Sequence, residues 1–149
     1  MLPLPEPMRA ALAAARAAAD AGEVPVGAVL VQGGRILATA GNAPRGLSDP
    51  TAHAEMQVIR DGARLLGRER LEDCDLWVTL EPCAMCAGAI AHARIARVYY
   101  GASDPKGGAV EHGPRFFAQP TCHHRPEVYP GIGEEEAGAL LREFFRERR

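Results

Sequence analysis

Two cysteines three positions apart, Cys83 and Cys86, constrain this chain more than any other feature of its sequence. Positions i and i+3 of a helix share a face, so both sulfur atoms can point at one metal ion. Pro82 suits the first turn of such a helix, where its missing N–H is no loss. The positive end of the helix dipole would also lower the pKa of the thiols. The pair alone fits a redox couple, half of a structural zinc site or a chance occurrence equally well.

A second motif, which runs from Thr51 to Glu55, narrows these alternatives. His53 adds a third ligand, and one His with two Cys leaves the fourth tetrahedral position open for water, as in catalytic zinc sites. Glu55 follows the His by two residues and is placed to exchange protons with that water. The pattern H-x-E followed by P-C-x-x-C is the known signature of zinc nucleobase deaminases. The sequence therefore predicts one Zn²⁺ on His53, Cys83 and Cys86, with Glu55 as the catalytic residue.

The composition predicts a single globular domain over residues 1–149. Hydrophobic residues make up 47% of the chain, which is enough for a packed core. No apolar run approaches the roughly 20 residues of a membrane helix. The N-terminus lacks the basic start and apolar run of a secretory signal, so we expect a cytoplasmic protein with no membrane partner. The net charge of −2 excludes a chain that is basic all over, but a local nucleic-acid-binding patch is compatible with it.

Hydrophobic periodicity predicts alternating helices and strands. The predicted elements are a helix over 8–21, strands over 26–31 and 35–40, a helix capped by Thr51 with His53 and Glu55 in its first turn, a strand over 76–80, the cysteine helix over 83–92, strands over 97–101 and 127–129, and a helix over 134–148. The apolar face of the second helix is predicted to be Met56, Ile59, Ala63 and Leu66. Segment 102–133 is rich in Gly and Pro, yet Phe116 and Phe117 indicate that it is ordered.

The chain resembles the bacterial tRNA-specific adenosine deaminases, a family of the cytidine deaminase-like superfamily. The resemblance runs from about Glu23 to Arg149. It is carried by residues 23–31, 49–55, 78–88, 100–102, 104, 106, 108–109, 124–125 and 144–146. The metal motif alone would fit any deaminase of the superfamily, whereas segment 23–31 and the ending Phe144–Arg146 are typical of this family.

The resemblance implies an α/β fold, namely a three-layer α/β/α sandwich with a five-stranded mixed sheet, and a homodimer. It also implies hydrolytic deamination of adenosine to inosine at the wobble position of tRNA. Zinc lowers the pKa of a bound water, so hydroxide can attack C6 of adenine while Glu55 shuttles protons. An anticodon loop suits this chemistry because its bases are unstacked and can be flipped into a pocket.

The resemblance further implies contacts to the RNA. The residue that matches Asn42 binds the flipped base, although from its position Asn42 could equally well shape the turn at Gly41. The other implied contacts to the pocket, the neighbouring nucleotides or the anticodon loop are Glu23, Val24, Ala54, Asp104, Lys106, Phe145 and Arg149. The chain departs from the better-known members over Glu111–Cys122, so contacts to nucleotides that flank the target can differ there.

Two other functions compete with this interpretation. A deaminase of a free nucleobase or nucleotide, of the guanine or cytosine type, would use the same zinc site. A catalytically silent RNA-binding or zinc-stabilised module fits less well, because binding alone has no use for Glu55. The remaining cysteines, Cys74 and Cys122, are expected to be spectators. Cys122, His123 and His124 invite a second metal site, but no regular spacing supports one.

Overall fold

A computed structural model describes residues 3–148, which form five strands, four α-helices and one short 3-10 helix. The elements are α1 (Glu6–Asp20), β1 (Gly27–Gln32), β2 (Arg35–Gly41), α2 (Ala54–Leu66), β3 (Cys74–Leu80), α3 (Ala84–Ala93), β4 (Arg97–Ala102), the 3-10 helix (Phe116–Ala118), β5 (Glu127–Tyr129) and α4 (Glu134–Glu147). Each predicted helix and strand is present. Segment 102–133 is ordered as expected, with the Phe117 ring buried. Within the described part of the chain, every helix is too short or too polar to cross a membrane.

The five strands form one mixed sheet in the order β2-β1-β3-β4-β5. Strand β1 is antiparallel to both of its neighbours, whereas β4 is parallel to β3 and to β5. The turn between β1 and β2 uses Gly33 and Gly34, both at positive φ, as a two-residue hairpin requires. The parallel pairing brings the C-terminal ends of β3 and β4 to one edge of the sheet, where α3 begins.

Helices cover both faces of this sheet, which confirms the predicted three-layer α/β/α sandwich. Alternate strand residues point to opposite faces. Leu76 and Val78 of β3 pack into the larger core, under α2 and α3, whereas Trp77 packs into a smaller cluster under α1 and α4. The smaller cluster is centred on Met8 and Leu12 of α1, both buried.

The predicted apolar face of α2 lies to one side of the face that packs on the sheet. The buried residues of α2 are Ala54, Glu55, Val58 and Gly62, whereas the predicted Met56, Ile59, Ala63 and Leu66 are only partly buried. The physical reason is Gly62. A Cβ at that position would lie 2.2 Å from Leu30 Cδ2, so the helix approaches β1 most closely at the one residue that offers no side chain to a hydrophobicity pattern.

The predicted cap of α2 is wrong. The helix begins at Ala54, and His53, in an extended conformation (φ −67°, ψ 153°), is its N-cap residue. Thr51 lies two residues earlier, and both its backbone N–H and its hydroxyl donate to Asp49 Oδ1, at 2.8 and 2.7 Å. Because this local turn uses the Thr51 hydroxyl, the helix starts later than the sequence pattern predicts. His53 therefore stands just before the first turn and not within it.

Candidate active site

One group of three side chains in the described part of the chain has the chemistry and spacing of a metal site. His53 Nδ1 lies 3.6 Å from the sulfur of Cys83 and 3.6 Å from the sulfur of Cys86. All three ligand atoms lie within 4.8 Å of one another. Zinc ligands at about 2.0–2.3 Å in a tetrahedral arrangement stand roughly 3.5 Å apart, so both distances from His53 to the sulfur atoms match a Zn²⁺ site.

The ligands converge because two helices begin at the same place. His53 is the N-cap residue of α2, and Cys83 is the N-cap residue of α3, also in an extended conformation (φ −75°, ψ 176°). Cys86 follows in the first turn of α3 and is fully buried. Helix N-termini carry partial positive charge, so this position favours the thiolate form that binds metal.

The protons in this site are unequally shared between the two cysteines. The Cys86 thiol donates a hydrogen bond to the sulfur of Cys83. This bond and the neighbouring His53 outweigh the effect of burial, so the pKa of Cys83 is lowered to about 4. The same hydrogen bond, together with burial, raises the pKa of Cys86. One thiolate is therefore already favoured before a metal binds, and a bound metal would displace the other proton.

Glu55 lies beside this group in the first turn of α2 and is only 4% exposed. Burial is the main cause that raises the pKa of its carboxyl to about 7, and the negative charge of Cys83 acts in the same direction. A carboxyl group with a pKa near neutrality can both hold and release a proton at physiological pH. Burial and the neighbouring Cys83 charge thus give Glu55 a carboxyl group that can exchange a proton near neutral pH.

Asn42 is tied to the start of the helix that carries Glu55. Its Oδ1 accepts a hydrogen bond from the backbone N–H of Ala54 at 2.8 Å, which satisfies a free donor of α2. The Ala54 side chain is fully buried. Asn42 therefore does have a structural role, but it stabilises the start of α2 and not the turn at Gly41. The prediction that it also binds a base stays a prediction.

Glu23 has a structural task that the sequence did not reveal. Its carboxylate is buried and accepts hydrogen bonds from the backbone N–H groups of Arg45, at 3.2 Å, and Gly46, at 2.7 Å. These contacts hold the loop between β2 and α2 against the segment before β1. Direct contact between Glu23 and a substrate stays a prediction.

Four of the predicted substrate contacts line one cavity, although they come from distant parts of the sequence. The cavity has a volume of about 610 Å³ and is lined by Val24, Leu80, Ser103, Asp104, Lys106, Gly107, Leu141 and Phe145. Phe145 is 51% exposed, whereas Phe144 beside it is buried in the core. The predicted contact Arg149 lies outside the described residues.

Glu81, which was not among the predicted site residues, is a buried carboxylate that binds the segment after β4. Its Oε1 accepts from the N–H of Asp104, and its Oε2 accepts from those of Val110, Glu111 and His112, at 2.9 to 3.1 Å. The sequence did hold a sign of this buried carboxylate, because a charged residue stands between an apolar strand and the cysteine motif.

A second metal site at Cys122, His123 and His124 is not supported. His124 Nε2 lies 2.6 Å from the carbonyl oxygen of Ile95, and the Cys122 thiol donates to the carbonyl of His124.

Comparison with known families agrees with this geometry. The model of the cytidine and deoxycytidylate deaminase zinc-binding region matches residues 4–102 of the chain. Fold and site together therefore define a zinc-binding deaminase of the cytidine deaminase type. A tRNA-specific adenosine deaminase of Agrobacterium fabrum is 61% identical over 142 residues, which cover 95% of this chain and 93% of that protein. The chain belongs to the family of tRNA-specific adenosine deaminases.

Solved structures show the same relationship. One, from a study of A-to-I editing by deaminases at the wobble position of transfer RNA, is 60% identical with a TM-score of 0.90, and the match covers 91% of this chain and 98% of that chain. A guanine deaminase from Bacillus subtilis is 32% identical with a TM-score of 0.65, over 95% of this chain and 92% of that chain. The similarity is thus much greater to the deaminase that acts on tRNA.

Proposed function

We propose that this chain, as one domain over residues 1–149, hydrolytically deaminates adenosine to inosine at the wobble position of tRNA. The observation that carries the chemistry is the buried Glu55 beside the His53–Cys83–Cys86 group. The substrate is supported by the 61% identity to a tRNA-specific adenosine deaminase along almost the whole chain. A tRNA-modifying role also supports the expected cytoplasmic location.

His53, Cys83 and Cys86 would hold the zinc ion and leave one coordination position for water. Bound zinc lowers the pKa of such a water, which makes hydrolysis feasible near neutral pH. Glu55 can take a proton from the water and deliver it to N1 of adenine. It can then take the proton of the hydroxyl added at C6 and pass it to the amino group, which departs as ammonia while the C6 carbonyl forms. Its pKa of about 7 suits both steps, because neither protonation state is strongly disfavoured.

The 610 Å³ cavity would hold the nucleotides next to the target. The exposed ring of Phe145 offers a surface on which a base can stack. The ammonium group of Lys106 can pair with a phosphate, which would make binding weaken as salt is added. Asn42 would contact the flipped adenosine itself. The other proposed contacts, to the pocket, the neighbouring nucleotides or the anticodon loop, are Val24, Ala54, Glu23 and Arg149.

The substrate prediction is tested with one enzyme preparation and three substrates: an anticodon stem-loop with adenosine at the wobble position, free adenosine and free guanine. We expect ammonia release from the stem-loop to be fastest by at least about tenfold in kcat/KM. The reason is that contacts to nucleotides that do not react contribute binding energy that a free nucleoside lacks.

A stem-loop with inosine at the wobble position is the matched control, because it keeps every flanking contact and has no amino group to release. Faster turnover of free guanine than of the stem-loop would favour the free-nucleobase alternative. Faster turnover of free adenosine would likewise contradict a tRNA substrate. In either case the divergent segment Glu111–Cys122 is where the altered contacts should be sought.

We infer that the chain assembles as a symmetric homodimer, the commonest closed assembly, with the outer side of α3 in the interface. Along that side, Met85, Gly88 and Ala89 are partly exposed although they are apolar or small. Sedimentation at micromolar concentration should give twice the chain mass of 15.9 kDa. Ala89→Arg should shift the protein to monomer, while Ala139→Arg, on an exposed site of α4, should not. A parent protein that sediments only as monomer would contradict the inference.

A further inference from the structure

The Glu81 carboxylate is surrounded by donors from a single stretch of chain. Its side chain is fully buried, and Oε1 accepts from Asp104 N–H at 2.9 Å and lies 2.7 Å from His112 Nδ1. Oε2 accepts three further backbone N–H groups, those of residues 110, 111 and 112. Four backbone donors between residues 104 and 112 thus converge on one side chain that lies 23 to 31 residues earlier in the sequence.

These hydrogen bonds explain how a carboxylate is tolerated at a buried position. Burial raises the pKa of Glu81, but the donors from Asp104, His112, Glu111 and Val110 outweigh burial and lower it overall. The dependence is mutual. Without the carboxylate, several backbone N–H groups of the loop would lose their acceptor, which is costly wherever water cannot replace it.

The loop between Asp104 and His112 is fitted closely around this anchor. A Cβ on Gly108 would lie 2.5 Å from Glu81 Cδ, so only glycine allows the approach. The N–H of Ala109 donates to the Pro82 carbonyl at 2.9 Å, immediately before the metal-ligand residue Cys83. The same loop carries Asp104 and Lys106 into the wall of the 610 Å³ cavity. The Asp104 carboxylate stays within the loop and accepts from the N–H groups of Lys106 and Gly107.

We propose that Glu81 is a positioning residue: it holds the loop from Asp104 to His112 next to the metal-binding helix and thereby places Asp104 and Lys106 for binding of the RNA substrate. This inference rests on the proposed function only in identifying the ligand as RNA. Glu81 does not contact the reacting atoms in this role. Its loss therefore affects the binding of substrate more than the chemical step.

The test is Glu81→Gln, which keeps the size of the side chain but replaces one acceptor oxygen with a donor. We expect backbone amides of residues 104 and 110–112 to exchange hydrogen at least about tenfold faster, the scale of one lost hydrogen bond to a charged group. With the stem-loop, KM should rise by about tenfold or more and kcat should change by less than about threefold. Zinc content should stay that of the parent. Glu72→Gln, the same change at an exposed site, is the control.

Unchanged amide exchange or an unchanged KM in folded Glu81→Gln would overturn the proposal, and so would a fall in kcat alone. If Glu81→Gln does not fold, His112→Ala provides the test, because it removes one donor at a partly exposed residue and leaves the backbone donors in place. It should raise KM by a few-fold, in proportion to one lost contact, and an unchanged KM would again overturn the proposal. If the parent does not deaminate the stem-loop, the proposed function fails, while the exchange measurement still decides the role of Glu81.

Discussion

Glu55→Gln should retain zinc and lose turnover of the stem-loop by roughly 10²–10⁴-fold, the range typical of a general acid–base residue. The amide occupies the space of the carboxyl group, so the packing of α2 at this buried position is kept. It cannot take up and release a proton, which is the property that burial beside Cys83 and Cys86 gives to Glu55. Single-turnover rates, measured together with zinc content and RNA affinity, give the result directly.

Glu69→Gln is the matched control, since it removes the same charge from an exposed position just after α2. Its rate should equal that of the parent. Turnover within a few-fold of the parent in Glu55→Gln would show that another group moves the protons. A variant that lost its zinc would show instead that Glu55 supports the metal site, and the assignment of Glu55 as proton shuttle would then be wrong.

His53→Ala and Cys83→Ser should each lose bound zinc and, with it, activity. Each change removes one of the three predicted ligands. Loss of a residue that merely hydrogen-bonds to a ligand costs ~10–100-fold in metal affinity, so loss of a ligand itself should cost more. Metal analysis after dialysis against a weak chelator should find about one zinc per chain in the parent and almost none in the variants. Equal zinc in Cys83→Ser and the parent would contradict the ligand assignment.

The other two cysteines provide the controls for this measurement. Cys122→Ser should keep the full zinc complement, because its sulfur only donates to the carbonyl of His124 at 3.2 Å, and a serine hydroxyl can do the same. Cys74→Ser should also keep zinc. Cys74 is fully buried and its pKa is raised to about 11, mainly by burial, which is the behaviour of an inert core thiol.

The secondary structure was predictable from the sequence because it follows short-range patterns that the tertiary structure leaves intact. The exceptions are instructive. Thr51 has the side chain of a helix cap, yet Asp49 engages it, and Asn42, at the start of the same loop, binds the first N–H of α2 instead. The closest packing of α2 falls on Gly62, which carries no apolar side chain. In each case a contact outside the helix overrides what the sequence of the helix predicts.

The metal group was predictable because its ligands lie in two short motifs with a known combined signature. The contacts of Glu23 and Glu81 were not, because their partners lie 22 to 31 residues away and are backbone N–H groups, which every non-proline residue carries. No residue type in the partner segment marks such an acceptor. The cavity residues Asp104, Lys106 and Phe145 were expected from family resemblance, and spacing alone would not have brought them together.

The hydrogen bond between Asn42 and Ala54 determines whether Asn42 presents hydrogen-bond donors or an acceptor to a ligand. An amide side chain has a carbonyl end and an NH₂ end, and rotation could in principle present either one. Here the start of α2 engages the carbonyl end, at 2.8 Å from the Ala54 nitrogen. A ligand that reaches Asn42 therefore meets donors and must bring an acceptor, such as a ring nitrogen or a hydroxyl oxygen. Asn42→Asp would keep the bond to α2 while it replaces those donors with an acceptor, so helix capping and ligand recognition can be separated at a single position.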